Sequence, residues 1–155
     1  MRYFHYTPEI RLEEIIKSGE IKLASKSVYS KKEKPVAWVS TNSHWENTAT
    51  KMVGSIFGKP KQLTFEEQVK KLGCARIEVK STGLMSWAKL KHKAKMDLRA
   101  VKGFETVGIQ KGANPIEWFG SLSPIKRERW IKVEVYKNKK WQEYENYNNS
   151  ILDIN

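Results

Sequence analysis

A single cysteine, Cys74, leaves this chain without an internal disulfide. That suits a reducing compartment, and the expected location is cytoplasmic. No stretch nears the roughly 20 consecutive apolar residues of a membrane helix, so no contact with a membrane is expected. The opening Met1-Arg2-Tyr3-Phe4-His5-Tyr6 lacks the long apolar core and small-residue cleavage site of a secretory leader, and a mature start at Met1 is expected. Histidines are few. His5, His44 and His92 lie far apart, and with one cysteine they offer no pair at metal-ligand spacing, so no metal is predicted. There is no Gly-x-Ser-x-Gly elbow and no glycine-rich phosphate loop. Acidic residues are also scarce: 17 Asp plus Glu against 29 Lys plus Arg give a formal charge of +12. Such an excess attracts polyanions or acidic protein surfaces and makes association salt-sensitive, but it says nothing about fold.

What is present is enough for one packed domain. The chain has 155 residues, 39% of them hydrophobic, and it divides into a single domain over 1–145 and a loose tail over 146–155. Residues 2–6 read as a short buried strand. Thr7 and Pro8 then offer an N-cap and a first helical position, and Ile10, Leu12, Ile15 and Ile16 follow at helical spacing up to Gly19. Val36 to Ser40 reads as a second core strand. A helix is expected from Trp45 to Val53, then a loop over 54–60. Thr64 with Glu67 makes a capping box for a helix to Leu72. Cys74 to Val79 alternates as a strand. Residues 83–110 read as mostly helical and basic. Strands follow at 116–122 and 130–136, and Trp141 to Tyr144 pairs back across Asn138-Lys139. Strands at both ends with helices between predict an α+β fold.

Several residues are candidates for chemistry. Glu117 lies in Asn114-Pro115-Ile116-Glu117-Trp118-Phe119, a carboxylate in an apolar neighbourhood at a loop-to-strand junction. It is either an exposed glutamate at a strand start or a charge held for use. His5 alternates with Phe4 and Tyr6, and it is either a satisfied core histidine or a partner for a ribose hydroxyl. Trp38 and Ser40 share a strand face. Core packing explains them, and so does stacking on a flat ring with a hydrogen bond at its edge. Trp45 and Glu46 open the next element, where Glu46 compensates a helix dipole. Cys74 reads as a small apolar filler. Lys89, Lys91, Lys93 and Lys95, with Lys126 and Arg127 later, form either a polyanion patch or a solvated face.

Taken in order, Phe4-His5-Tyr6-Thr7 with Ser18-Gly19, Val36-Ala37-Trp38-Val39-Ser40, and Asn114-Pro115-Ile116-Glu117 resemble the three motifs of the ADP-ribosyltransferase superfamily. The resemblance implies a split β-sheet core with flanking helices and NAD as substrate. It implies Glu117 and His5 as catalytic residues, with His5, Tyr6, Thr7, Trp38, Ser40 and Trp45 around the NAD. The acceptor would be a nucleic acid or a protein with an acidic face, in a phage or toxin setting. Two departures stand out: Trp38 occupies a position where many members carry Tyr, and no His or Gly follows His5. The competing expectation is a non-enzymatic basic module that binds nucleic acid or protein, for example a phage-type inhibitor.

Overall fold

The computed structural model describes residues 1–25, 31–55, 58–145 and 147. In chain order the strands are β1 (Tyr3–Pro8), β2 (Glu20–Ile21), β3 (Ala37–Ser40), β4 (Met52–Ser55), β5 (Gly58–Gln62), β6 (Cys74–Val79), β7 (Met85–Ser86), β8 (Trp118–Ser121), β9 (Ile125–Lys126), β10 (Trp130–Lys137) and β11 (Lys140–Glu143). The helices are α1 (Leu12–Ser18), α2 (Phe65–Lys71), α3 (Trp87–Lys93) and α4 (Leu98–Gln110). Among the described residues this is an α+β fold. Its seven-stranded sheet runs β11-β10-β6-β1-β3-β8-β7, and every paired neighbour in it is antiparallel.

Register assigns the faces. Phe4 and Tyr6 of β1 lie opposite Glu78 and Arg76 of β6, while His5 lies opposite Ile77. The second of these faces carries the main core, where Ala75, Ile77 and Val79 meet Val133, Val135, Ala37 and Val39 under Leu12 and Ile16 of α1. Burying each of these two α1 side chains contributes about 1.5–3 kcal/mol. The first face carries a smaller cluster of Phe4, Tyr6, Trp45 and Cys74. A third cluster under α3 holds Val36, Trp87, Leu90 and Trp118. Gly19 ends α1 at φ 72, as its position in the sequence suggests, and Thr64 with Glu67 completes the capping box of α2. The β10–β11 turn has positive φ at both Asn138 and Lys139, which a two-residue hairpin requires.

Three expectations fail. Thr7 is not the cap and Pro8 is not the first helical position. Both extend β1, paired with Ala75 and Cys74, and Pro8 stays extended at ψ 142. Pairing with the central strand displaces the start by one residue: Pro8 takes the cap position, a 3-10 turn over Glu9–Arg11 follows, and α1 begins at Leu12. The helix expected over 45–53 is a single 3-10 turn, Asn47–Ala49, followed by β4. Asn47, Thr48 and Thr50 are weak helix formers whose side chains compete for the backbone. Of the loop expected over 54–60, residues 54–55 and 58–60 lie instead in the paired strands β4 and β5, and residues 56 and 57 are outside the described residues. Of the tail, Tyr147 is half-buried and lies 6.3 Å from the Trp130 ring, centroid to centroid. The rest of 146–155 is outside the described residues.

Candidate functional site

The sheet opens between β1 and β3. Phe4 pairs with Ser40, and there the ladder stops. Tyr6 and Trp38, the next positions in that register, are not partners. On their outer sides β1 and β3 stay fully laddered to β6 and β8. Two well-held strands therefore diverge and leave a cleft of about 580 Å³. It is closed on its other sides by α4 and by the chain from Glu46 to Lys51. Its walls include Trp38, Phe104, Val107 and Trp118, and its polar lining includes His5, Ser40, Glu46, Lys51 and Lys111.

His5 stands at the opening. Its Nδ1 lies 2.8 Å from the Trp38 carbonyl, one of the groups the broken ladder would otherwise leave unpaired. A carbonyl only accepts, so Nδ1 carries the proton and Nε2 is the ring's acceptor. Burial pushes the His5 pKa down, against the hydrogen bond to Trp38 that raises it, and Lys51 lowers it further. The imidazole is therefore neutral at pH 7.

Glu46 supplies the carboxylate of the cleft. It is 8% exposed and sits in a cage of donors rather than beside a cation. The Ser40 hydroxyl donates to Oε1 at 2.8 Å. Oε2 accepts from the Thr48 hydroxyl at 2.6 Å, the Thr48 amide at 3.1 Å and the Trp118 indole at 3.3 Å. Four hydrogen bonds fix the position of this carboxylate in a poorly solvated place. Oε1, with one partner among these, keeps room for a ligand hydroxyl.

Behind the cleft, Arg76 ties the parts together. It donates to Glu134 at 2.9 Å and to the Ser43 carbonyl at 2.6 Å, and its guanidinium carbon lies 4.1 Å from the centroid of the Phe4 ring. Tyr6 donates its hydroxyl to the Asn42 carbonyl. Its own pKa is raised to about 12, chiefly by burial. These bonds fix the turn from Asn42 to Glu46, and with it the carboxylate.

The residues singled out from sequence divide cleanly. His5, Tyr6, Trp38 and Ser40 line the cleft. Thr7 is buried in the β1 ladder, and Trp45 is buried against Tyr6 and Phe65 with its indole N–H donated to Thr50. Neither lines the cleft. Glu117 is not among the lining residues either. It is half-buried in the 3-10 turn Pro115–Glu117, and its carbonyl accepts from the Thr41 amide at 3.0 Å, one step past the Ser40–Trp118 pair. Lys89, Lys93, Lys95 and Lys126 are exposed, Lys91 and Arg127 half-buried, and none of the six lines the cleft. Arg127 donates to the Ile16 carbonyl. Cys74 is buried with its thiol pushed up to about 12 by burial, which makes it a poor nucleophile.

Compared with protein-family models, curated proteins and solved structures, the chain matches none. Among the described residues no helix is long and apolar enough to cross a membrane, and no group of His, Cys, Asp and Glu is arranged to hold a metal ion. Sequence reasoning missed the role of Glu46, and it missed Lys51, Phe104, Gly108 and Lys111 entirely. A signal for Glu46 was present: a carboxylate set between hydroxyl- and amide-bearing residues, Thr41-Asn42-Ser43 before it and Asn47-Thr48 after it. Nothing local pointed to α4 as a wall.

Proposed function

We propose that this cleft binds NAD and transfers its ADP-ribose to a nucleic acid or an acidic protein. The observation that carries the proposal is the opening between β1 and β3, where a neutral histidine, a flat indole, a hydroxyl and a hydrogen-bonded carboxylate meet. Breaking the bond between ribose C1′ and nicotinamide builds positive charge on the sugar. A fixed carboxylate in a poorly solvated cleft stabilises that charge, and positioning does the rest. In this assignment Glu46 Oε1 accepts the ribose 2′-hydroxyl, and Ser40 and Thr48 hold the carboxylate still. Nε2 of His5 accepts a second hydroxyl. Trp38 stacks on the nicotinamide ring. The departing nicotinamide is neutral, and the acceptor's oxygen or nitrogen forms the new bond to C1′ as it loses its proton. Glu117, at the end of the β3–β8 ladder, is the second carboxylate to test.

The experiment is incubation with labelled NAD and DNA, RNA or protein acceptors, for the native chain, Glu46→Gln and Glu117→Gln. Transfer by the native chain and its loss in Glu46→Gln are expected. Full transfer by Glu46→Gln, or loss confined to Glu117→Gln, would overturn the assignment of Glu46. A second reading is favoured by Lys89, Lys91, Lys93, Lys95 and Lys126, none of which joins an ion pair among the described residues. In that reading the protein is a basic binding module. No NAD consumption together with tight, salt-sensitive nucleic-acid binding would select it.

A further inference from the structure

Two cations of the cleft have no acid to answer them. Lys51 and Lys111 both line it. Neither forms an ion pair among the described residues, and nor does the nearby Arg11. The carboxylate in the lining, Glu46, is already engaged by Ser40, Thr48 and Trp118. Lys111 caps the C-terminus of α4, where the helix dipole favours a positive charge. Lys51 has no such support. Its backbone amide is anchored at 2.7 Å on Oε1 of the fully buried Gln68, which fixes where the side chain starts. Partial burial pulls its pKa down, and Arg11 and Lys111 pull it further. The chain thus gathers like charges at one end of an apolar-walled cleft, an arrangement that is unfavourable until an anion arrives. Elsewhere in the lining, Trp38, Phe104 and Trp118 offer flat aromatic rings.

We infer that Lys51 and Lys111 form a diphosphate-binding subsite, and that the cleft takes a nucleoside diphosphate whose ring lies on the aromatic walls. The inference overlaps the NAD reading without depending on transfer. A cleft that binds ADP and transfers nothing keeps this inference and overturns that one.

Calorimetric titration of the full chain with ADP, adenosine and inorganic pyrophosphate tests it. ADP is expected to bind at least tenfold more tightly than adenosine, and pyrophosphate to compete with it. Lys51→Gln and Lys111→Gln should each weaken ADP binding by roughly five- to tenfold, the loss of one charge-assisted contact, and leave adenosine unchanged. Lys70→Gln, exposed on α2 and outside the cleft lining, should match the native chain. Unfolding curves of the variants check that each is folded. Equal affinity for ADP and adenosine, undiminished ADP binding in both cleft variants, or no ADP binding by the native chain would each overturn the subsite.

Discussion

Strand β1 has β6 on one edge and β3 on the other, and the chain treats charge differently on the two sides. On the β6 side Arg76 is buried with Glu134 at 2.9 Å, a backbone carbonyl and two aromatic rings around its guanidinium. Glu78 is likewise met by Arg2, whose hydrogen bond holds its carboxyl below the usual carboxylate range. Each buried charge there, Arg76, Glu78 and Glu134, is answered from within. On the β3 side the ladder parts, Glu46 is held by neutral donors, and Lys51 and Lys111 form no ion pair among the described residues. Buried charge that is closed off internally stabilises one arrangement. Charge left open in a cleft is what a ligand can use.

The largest test of this contrast is Arg76→Met. It strands the Glu134 carboxylate and should cost about 3–5 kcal/mol in urea unfolding. Adding Glu134→Leu should recover most of that loss, since no charge is left alone. A cost below about 1 kcal/mol for the single variant would mean the β6 side is not the closed region described. Next in size, Glu46→Gln should lower transfer by about 10²–10³-fold, with the urea midpoint shifted far less than by Arg76→Met. Gly108→Ala sharpens the picture of the cleft wall. A Cβ at this position would sit 2.4 Å from the Trp118 ring, so the indole that bonds Glu46 must move. The expected cost is about 1–3 kcal/mol, with a red shift or broadening of tryptophan emission as Trp118 is displaced.

The smallest effect belongs to His5. Its folded pKa is lowered, so the unfolded chain binds the extra proton first. The stability it confers is present above the unfolded value of about 6.5 and is lost as pH falls from there toward the folded value. His5→Asn, which keeps a donor for the Trp38 carbonyl, should flatten the unfolding free energy between about pH 7 and pH 5 relative to the native chain. An unchanged slope would place the ring in water rather than in the gap between the strands.

Much of the frame was legible because local chemistry settles it. The β6 alternation, the Thr64–Glu67 cap, the Gly19 stop and the Asn138-Lys139 turn each depend on a few neighbouring residues, and each stands in the structure. The helix start at Thr7-Pro8 misled because the same residues complete a ladder with Cys74 and Ala75, and that partner is remote in sequence. The stretch from Trp45 to Val53 misled because Glu46 spends its side chain on Ser40, Thr48 and Trp118 instead of on a helix. The site was half legible. Trp38 and Ser40 share the face that alternation gives them, whereas His5 lies on the other face by the same register and reaches the cleft where β1 and β3 part.

Sequence alone determined the α+β class, the strong positive charge and most of the strands, since periodicity and composition act over short distances. Only the tertiary structure decided where β1 and β3 part, which carboxylate enters the gap, and which lysines face it. Those outcomes rest on register between distant strands and on the placement of α4, and no window of neighbouring residues encodes either.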